Sequence, residues 1–399
     1  MHLPEILAPA GNLEKLKIAI LYGANAVYLS GDRFGLRGGA DNFSDEDLQT
    51  GVTFAHQHRA KVYVTLNSFF HDQDFETFPE YLQFLESINI DGTIVSDLGV
   101  VDFITTNSNI PVHLSTQASC LNQYSAKLWK NLGVERIVLG REVSIQQAAD
   151  IKKIAAIDVE MFIHGSMCMA YSGHCTISNF TAGRDSNRGG CVQSCRFEYS
   201  FTNHNQESIT QSFMSSKDLQ GIELLAKFVK YEIDSLKIEG RMKSNLYVAT
   251  TVMSYVNGLR TVLSDHEQHH NTQWKTELLK VRHRGYTEAS LIKPADSTSV
   301  FYGDRQGYSE TNFEYAGTVV DVVPDKYLVL MTQNTFEENS ILEILDFEGR
   351  LHQISTRGMQ NIRNREIKKT NPNTIVLIPY SSSMEGIKEL NVARFLSNS

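Results

Sequence analysis

Four cysteines lie close together in the sequence and form its strongest chemical signal. They are Cys168, Cys175, Cys191 and Cys195, separated by six, fifteen and three residues. Four thiolates in one segment can hold a zinc ion or an iron–sulfur cluster. Structural zinc sites usually pair cysteines about two to four residues apart, and only Cys191 and Cys195 are that close. The spacing therefore favours an iron–sulfur cluster over zinc. A single nucleophilic cysteine and a set of buried, inert thiols are the other interpretations.

The residues around these cysteines are suited to wrapping a charged group. Five glycines allow tight turns and leave backbone N–H groups free to donate to sulfur. They are Gly165, Gly173, Gly183, Gly189 and Gly190. Arg184, Arg188 and Arg196 add positive charge, which would offset a thiolate-ligated cluster or bind an anionic substrate. The fifth cysteine, Cys120, is predicted to pack as a small apolar residue.

Motifs of several common enzyme classes are absent from the sequence. It contains no His-Glu-x-x-His, no Gly-x-Ser-x-Gly, no Walker phosphate loop and no Gly-x-Gly-x-x-Gly after a strand. Ordinary zinc protease, serine hydrolase, ATPase and dehydrogenase mechanisms therefore lack their residues.

Short apolar runs alternate with helical patterns over the first two-thirds of the chain. The runs are rich in β-branched residues, which is typical of strands buried on both faces. The predicted strands are Glu5–Pro9, Ala26–Leu29, Val62–Leu66, Thr93–Ser96, Val112–Ser115, Arg136–Leu139, Val159–Ile163 and Ser235–Ile238. The predicted helices are Leu13–Tyr22, Asp45–His58, Phe75–Ile88, Leu98–Thr106, Asn122–Leu132, Ile145–Ala155, Lys217–Lys230 and Leu246–Leu263. Eight strands alternating with eight helices predict an α/β fold, a TIM-like (β/α)8 barrel. An open, doubly wound sheet uses the same alternation, but the count of eight favours closure.

Polar residues follow the apolar runs at the points where the strands end. They are Asn67, Asp97, Gln117, Arg141, Glu142, His164, Glu239 and Arg241. The carboxyl ends of barrel strands meet at one rim, where barrel enzymes place their chemistry. Solvent exposure of strand ends explains any single one of these residues equally well, but it explains the whole set less well.

A long insertion follows the seventh predicted strand. About fifty residues separate His164 from Lys217, and all four clustered cysteines lie in this stretch, which we place at residues 166–216. Connections of this length are usually functional. The insertion is therefore the part of the chain in which we expect the chemistry.

The last quarter of the chain is rich in strand-like runs. They are Tyr315–Val323, Tyr327–Met331, Ile341–Phe347, Leu351–Ser355 and Thr374–Pro379. They predict a small antiparallel β-barrel domain at residues 310–399, after a barrel domain at residues 1–300. Within it, one basic segment is the best candidate for contacting phosphate groups, with a solvated charged loop as the alternative. Its cations are Arg357, Arg363, Arg365, Lys368 and Lys369.

Composition limits the functional classes further. The chain has 399 residues, of which 41% are hydrophobic and 21% charged, and its formal net charge is −9. These values exclude a disordered or fibrous protein and a chain that coats nucleic acid by overall positive charge. No secretory signal and no apolar run of about eighteen residues is present, so we expect a cytoplasmic protein without a membrane span.

Around the cysteines the sequence resembles the collagenase-like peptidase family, number thirty-two among the unclassified peptidases. The runs that match are residues 164–175, 184–185 and 191–196. Further matches lie at residues 7–11, 113–118, 214–219, 235–241 and 284–287. The resemblance covers nearly the whole chain and is strongest to the family's prephenate-dependent tRNA uridine hydroxylation branch.

The resemblance implies more than the spacing does. It implies a 4Fe-4S cluster held by Cys168, Cys175, Cys191 and Cys195. Related branches modify ribosomal RNA or hydroxylate ubiquinone precursors without oxygen. The tRNA branch makes 5-hydroxyuridine at the wobble position, with prephenate as the implied oxygen donor. The expected partners are therefore the tRNA anticodon loop and an electron-donor protein. The older label of the family, peptidase, ranks second because no nucleophile–base pair can be named.

The resemblance also implies roles for several of the polar and charged residues named in this section. Prephenate is a dicarboxylate, and arginines bind carboxylates well. The candidates for binding it are Arg37, Arg141, Arg184 and Arg241. The catalytic candidates are His164 and Glu239 as acid–base groups, with Arg241 beside them. The candidates for orienting the uracil edge are Asn67, His113 and Gln117. In the alternative interpretation Glu239 pairs with Lys237 or Arg241, and His113 is a core histidine.

Overall fold

The computed structural model describes residues 3–36, 41–264, 272–300, 311–381 and 385–397. The chain divides into two compact units. The first comprises residues 1–16, 24–242 and 283–309, and the second comprises residues 17–23, 243–282 and 310–399. Residues 243–282 thus group with the C-terminal strands, whereas the sequence places them in a domain of residues 1–300.

The elements have the following bounds. The strands of the first unit are β1 (Glu5–Pro9), β2 (Ala26–Leu29), β3 (Lys61–Leu66), β4 (Gly92–Val95), β5 (Val112–Leu114), β6 (Val134–Val138), β7 (Asp158–Ser166), β8 (Tyr199–Thr202), β9 (Ser208–Gln211), β10 (Asp218–Gln220), β11 (Ser235–Ile238) and β12 (Tyr286–Thr287). The strands of the second unit are β13 (Phe313–Val323), β14 (Tyr327–Thr332), β15 (Ile341–Leu345), β16 (Leu351–Ser355), β17 (Gln360–Asn361), β18 (Ile375–Pro379) and β19 (Val392–Leu396). The helices are α1 (Leu13–Leu21), α2 (Asp45–Gln57), α3 (Phe78–Ser87), α4 (Leu98–Asn107), α5 (Gln123–Asn131), α6 (Ile145–Ala155), α7 (Ile177–Ala182), α8 (Leu225–Lys230), α9 (Asn245–Ser264), α10 (Thr272–Leu278) and α11 (Ser297–Val300).

Eight parallel strands of the first unit close into a barrel. Each strand from β1 to β7 pairs in parallel with the next, and β11 pairs in parallel with both β7 and β1. Ser235 of β11 lies opposite Glu5 on one side and Glu160 on the other, which completes the ring. Every residue of β2, β4 and β11 is buried, as expected for strands covered on both faces. The predicted TIM-like barrel is confirmed.

Side-chain caps set where the helices between the strands begin. The Ser44 hydroxyl accepts a hydrogen bond from the backbone N–H of Asp47 at 3.1 Å, at the start of α2. Ser144 and Gln147 form a reciprocal capping box at the start of α6. Caps of this kind stabilise a helix by about 1 kcal/mol because they satisfy N–H groups that have no partner within the helix.

Two carboxylates and two cations are buried together inside the barrel. Arg136 Nη1 lies 2.7 Å from Glu5 Oε1 and 3.6 Å from Glu160 Oε2. Lys237 Nζ lies 2.8 Å from the other oxygen of Glu160. Because each of these buried charges has an opposite charge beside it, none is left uncompensated in the barrel interior.

His113 belongs to this interior group. It is 5% exposed, and its ring lies against Tyr63 with the centroids 4.6 Å apart. Burial, reinforced by the positive charge of Arg136, lowers the pKa of His113 to about 3. These observations favour the alternative interpretation, in which His113 is a neutral core histidine.

The insertion begins on an extended β7 and returns through β10. β7 continues to Ser166, and β10 pairs with this extension in antiparallel register. The predicted helix Lys217–Lys230 is wrong in its first half, because Asp218–Gln220 form β10 and only Leu225–Lys230 are α-helical. β10 also pairs in parallel with β12, and Arg284 forms an ion pair with Asp218. Strand pairing on both edges of β10 outweighs the helical pattern of its residues.

The second unit contains a curled antiparallel sheet. Its strands are ordered β16-β15-β19-β13-β14-β18-β17. Its core includes Leu328, Leu330, Phe336, Leu342 and Ile344, all buried. All five predicted C-terminal strands are present within one to two residues of their expected bounds. No described helix in either unit is long and apolar enough to cross a membrane.

The sequence pattern misses two strands of this sheet, β17 and β19, and β19 lies in its interior. It lies between β13 and β15 and contains Arg394, whose side chain is fully buried. The guanidinium of Arg394 lies 2.7 Å from a carboxylate oxygen of Glu277 and 2.8 Å from one of Glu343. Arg394 interrupts a short apolar run, so the sequence pattern does not indicate a buried strand. Its burial is possible only because Glu277 and Glu343, which are distant in the sequence, compensate its charge.

Candidate functional site

The four clustered cysteines are brought together in the insertion. Cys168 is exposed, and Cys175, Cys191 and Cys195 are partly buried. Burial raises the pKa of the Cys195 thiol, Arg196 opposes this shift, and the charges of the other three cysteines add to it. That mutual influence places the four thiols in one neighbourhood. Within the described ranges, no three His, Cys, Asp or Glu side chains converge to hold a single metal ion.

The turn between the first two cysteines is held by a carboxylate from the barrel. Ser172 adopts a left-handed backbone conformation with φ of 47°, which costs a non-glycine residue about 1 kcal/mol. Glu142, just after β6, accepts a hydrogen bond from the Ser172 N–H at 3.1 Å. A Cβ atom on Gly140 would lie 2.5 Å from the carboxylate of Glu142. Any larger residue at position 140 would collide with the Glu142 carboxylate, so glycine there allows Glu142 to contact this turn.

The turn before the third cysteine is tied to the second. The Asn187 side chain donates to the backbone carbonyl of Cys175 at 3.2 Å, and its own N–H donates to the Asp185 carboxylate at 2.8 Å. The N–H of Gly190 donates to the carbonyl of Asp185 at 2.7 Å. A Cβ on Gly190 would lie 2.5 Å from that same carbonyl oxygen, so this turn requires glycine. The arrangement sets Cys191 against the segment of Cys175.

The insertion is anchored to the loop that follows β3. The backbone N–H of Phe69 donates to the carbonyl of Asn187 at 3.0 Å. Arg188 forms an ion pair with Asp74, at 2.6 Å from Nη1 to Oδ2. The hydrogen bond from Arg188 lowers the pKa of Asp74 below its usual range. These contacts fix the cysteine-bearing turns on the barrel.

Asn67 and Gln117, two of the uracil-edge candidates, lie side by side. Asn67 Nδ2 donates to Gln117 Oε1 at 2.9 Å, and the Ser115 hydroxyl donates to the same oxygen at 3.2 Å. Gln117 is 4% exposed, and its Nε2 has no hydrogen-bond partner in the described part of the chain. The imidazole of His174, next to Cys175, contacts the backbone carbonyl of Gln117. The predicted pair therefore lies beside the cysteine segment.

Arg141 and Glu239 meet at Ser166, where the insertion begins. The Ser166 N–H donates to Glu239 Oε2 at 3.0 Å, and Arg141 Nη2 donates to the Ser166 carbonyl at 3.4 Å. The guanidinium carbon of Arg141 lies 3.8 Å from the ring centroid of Phe162, a cation–π contact. Burial lowers the pKa of Arg141, whereas the negative charges of Glu239 and Cys168 oppose the shift. The structure thus brings these two predicted site residues together beside the first cysteine.

His164 and Arg241 are both buried near the strand ends. The backbone N–H of Glu239 donates to the carbonyl of His164 at 2.9 Å, so these two candidates are adjacent through the main chain. The His164 ring lies 5.4 Å from the ring of Tyr286. Arg241 Nη2 donates to Asn42 Oδ1 at 2.7 Å. The structure therefore places His164 beside β12 and Arg241 beside the loop before α2.

A cavity of about 400 Å³ lies beside Cys168. Arg141 and Glu142 are the charged groups on its wall. The rest of the wall includes four sulfur-bearing side chains and one aromatic ring. The side chains of Ser172, Ser216 and Ser290 also line it. The larger apolar lining residues are Met167, Met169, Phe213 and Met214.

Two substrate-binding candidates remain, Arg184 and Arg37. Arg184 is exposed on the insertion, just after α7, and forms no ion pair with a residue that the structure describes. Arg37 lies outside the described residues. The contacts of Glu142, His174 and Asn187 were not predicted. The sequence shows only that Glu142 is next to Arg141 and that His174 and Asn187 lie within the cysteine segment. It does not show which residues they contact, because those residues are distant in the sequence.

The five cations of the predicted RNA-binding segment are exposed on the second unit. They are Arg357, Arg363, Arg365, Lys368 and Lys369. The Asn361 side chain accepts hydrogen bonds from the backbone N–H groups of Arg363 at 2.9 Å and Arg365 at 3.2 Å, which shapes the turn. No ion pair joins any of the five to a carboxylate in the described residues, so their charges are available to an anion.

The fold and the insertion define the class of protein. A family model described as Peptidase family U32 matches residues 11–300, and the chain belongs to this family. The tRNA hydroxylation protein P1 of Bacillus subtilis (strain 168) is 39% identical over 375 residues, covering 88% of this chain and 86% of that protein. The 23S rRNA 5-hydroxycytidine C2501 synthase of Escherichia coli (strain K12) is 35% identical over 266 residues, covering 66% of this chain and 40% of that protein. A protein named Collagenase, from Porphyromonas gingivalis (strain ATCC BAA-308 / W83), is 29% identical over 305 residues, covering 72% of this chain and 73% of that protein.

Proposed function

We propose that this protein is an RNA-modifying hydroxylase that takes part in 5-hydroxylation of the wobble uridine of tRNA without molecular oxygen. The observation behind the proposal is the insertion that carries four neighbouring cysteines, the first of which, Cys168, lies beside Arg141 and a cavity. The names of two relatives support an RNA substrate, and one of them names tRNA. We place the reaction in the cytoplasm.

A 4Fe-4S cluster is the cofactor of this proposal. Cys168, Cys175, Cys191 and Cys195 would be its ligands, since they are neighbours on turns shaped by glycine and by hydrogen bonds from outside the segment. Such a cluster supplies one-electron transfer. Arg196 next to Cys195 brings a positive charge that favours the thiolate form of the ligands.

The electron balance of hydroxylation sets what else is required. Replacing the hydrogen on C5 of uracil by a hydroxyl group at the oxidation level of water releases two electrons and two protons. These two electrons need an acceptor, so the proposed protein partner is a redox protein that takes them up, in place of the electron donor that the resemblance implies. Prephenate is the proposed source of the hydroxyl oxygen. Arg184 is exposed and has no ion pair among the described residues, so it is the most accessible candidate for a prephenate carboxylate. Glu239 is the candidate proton acceptor.

The RNA would be held partly by charge on the second unit. Arg357, Arg363, Arg365, Lys368 and Lys369 are exposed and would contact backbone phosphates. The wobble base must leave its stack to reach the end of a barrel, and an unpaired anticodon loop permits this at low cost.

The second candidate function is peptidase activity, as the family description and the relative named Collagenase indicate. A third is the role of a cluster-bearing subunit in hydroxylation of another substrate, such as ribosomal RNA or a quinone precursor. The sequence has neither Gly-x-Ser-x-Gly nor His-Glu-x-x-His, so the hydrolase lacks a recognisable catalytic motif.

Nucleoside mass spectrometry of tRNA separates these functions. A deletion strain of the source organism, grown without oxygen so that no oxygen-dependent route replaces the activity, should lose 5-hydroxyuridine. The wild-type gene and a Cys120→Ser gene should restore it, and a Cys191→Ser gene should not. An unchanged 5-hydroxyuridine level in the deletion strain contradicts the proposal and directs attention to the alternative functions.

A further inference from the structure

The cavity beside Cys168 has a charge pattern that selects its occupant. Arg141 and Glu142 contribute one positive and one negative charge to the wall, and no other charged side chain among the described residues lines it. The remaining large side chains are Met167, Met169, Phe213 and Met214. A dicarboxylate in this space would face the carboxylate of Glu142 with only one compensating cation, which disfavours it. A neutral, flat molecule with both hydrogen-bond donors and acceptors suits the wall better.

Both charged groups on the wall are fixed before any ligand arrives. The guanidinium of Arg141 stacks on Phe162 at 3.8 Å, and its Nε is buried without a hydrogen-bond partner in the described residues. The carboxylate of Glu142 is held by the N–H of Ser172 at 3.1 Å. Ionised, it has room for about four hydrogen bonds, so acceptor capacity remains. The cavity therefore offers one oriented set of donors and one oriented acceptor, side by side.

We infer that this cavity is the pocket for the flipped uracil base, with Arg141 donating to a carbonyl oxygen of the ring and Glu142 accepting from its N3–H. The inference rests on the proposed function and assigns the site within it. Uracil presents a carbonyl oxygen beside N3–H on one edge, which matches a donor beside an acceptor. Methionine and phenylalanine side chains provide apolar walls for the ring faces. With N3 held in this way, the C5–C6 edge faces away from Arg141 and Glu142. Arg141 is then a base-binding residue and not a prephenate-binding one.

Binding to modified anticodon stem-loops tests this assignment. The probes are short RNAs with uridine, 3-methyluridine or an abasic site at the wobble position, and binding to the full-length protein, purified without oxygen, is followed by fluorescence anisotropy. The methyl group on N3 removes the donor and collides with Glu142. The wild-type protein should bind the uridine stem-loop about ten-fold more tightly than the 3-methyluridine one.

The Glu142→Ala variant makes the test specific. Without the carboxylate the ratio of the two affinities should fall to about two-fold, because the methyl group then has space and no acceptor is lost. If Glu142 only supports the turn at Ser172, both affinities fall together and the ratio is unchanged, which overturns the inference. Glu135→Ala, on the exposed face of β6, is the matched control and should keep the wild-type ratio.

The remaining outcomes separate this inference from the proposed function. Wild-type protein that binds all three stem-loops equally, while 5-hydroxyuridine still depends on the gene in cells, overturns the pocket and leaves the function standing. Protein that binds none of the stem-loops, together with unchanged 5-hydroxyuridine in the deletion strain, overturns both.

Discussion

Arg188 on the cysteine-bearing insertion and Asp74 on the loop after β3 form a two-pronged ion pair. Nη1 lies 2.6 Å from Oδ2 and Nη2 lies 3.2 Å from Oδ1. The two residues are 114 positions apart in the sequence. Because two parallel hydrogen bonds fix both position and orientation, this contact determines how the turn before Cys191 lies against the barrel.

Replacing Arg188 by alanine should loosen the insertion and leave the barrel intact. We expect a local loss of about 1 kcal/mol, seen as faster hydrogen exchange in residues 183–195 without a change in β1–β7. Arg33→Ala is the control, because Arg33 makes an exposed ion pair with Asp45 at 3.2 Å, outside the insertion. Equal exchange in the two variants would contradict the anchoring role.

The pH dependence of this contact follows from Asp74. Arg188 lowers the pKa of Asp74 in the folded protein below its value in the unfolded chain. The stabilisation is therefore fully present above about pH 4 and is lost as the pH falls through the folded-state pKa. Between neutral pH and about pH 5, exchange in residues 183–195 should show no contribution from Asp74 titration.

Metal content should depend on the four clustered cysteines and not on the fifth. Protein purified without oxygen should contain about four iron and four sulfide per chain, and Cys191→Ser should lose both. Cys120→Ser should retain them, since Cys120 is 1% exposed and burial raises its pKa to about 11, so it remains a protonated core thiol. Stoichiometric zinc in the wild-type protein, measured by plasma mass spectrometry, would rule out the cluster.

Replacing Arg363 and Arg365 together by alanine should weaken tRNA binding and flatten its salt dependence. If each contacts one phosphate, the slope of log affinity against log salt should fall by about two. Lys326→Ala with Lys388→Ala is the matched control, since both lysines are exposed cations in the same unit outside the basic segment. An identical change in the control pair would show that the effect is one of net charge and not of the segment.

The barrel strands could be predicted from sequence because their apolar runs are continuous and their lengths are set by burial on both faces. Three predicted strands, Glu5–Pro9, Ala26–Leu29 and Ser235–Ile238, have the observed bounds. Two of the strands that the pattern misses, β10 and β19, contain charged residues whose burial depends on Arg284, Glu277 and Glu343, all distant in the sequence. A local pattern does not contain that information.

Part of the candidate site could likewise be predicted from the sequence, and part of it could not. The four cysteines and the adjacent pair Asn67 and Gln117 follow from spacing and from the barrel rule that strand ends converge. The contact of Glu142 with Ser172 could not be predicted in this way. A serine in the left-handed conformation has no sequence signal, and its carboxylate partner comes from the loop after β6. His113 is a candidate for orienting the uracil edge on sequence grounds, but it lies in the middle of β5, where every residue is buried.

The buried position of His113 predicts how the stability of the fold depends on pH. Arg136, Lys237 and Lys61 act on His113 with positive charge and Glu160 with negative charge, and burial is the largest cause of its pKa of about 3. His113 is thus neutral in the fold, whereas the unfolded chain binds a proton below about pH 6.5. Its contribution to stability is present above that pH and declines as the pH falls toward the folded-state pKa, by at most about 1.4 kcal/mol per pH unit.

His113→Gln should remove this part of the pH dependence. Glutamine keeps a neutral polar side chain but cannot take up the proton, so the urea midpoint should change less between about pH 7 and pH 5.5 than in the wild type. His58→Gln is the control, because His58 is exposed at the end of α2 and should leave the wild-type dependence unchanged. If His113→Gln and the wild type lose the same stability over this range, His113 is not held neutral by the barrel interior, and its place among the buried charges would have to be reconsidered.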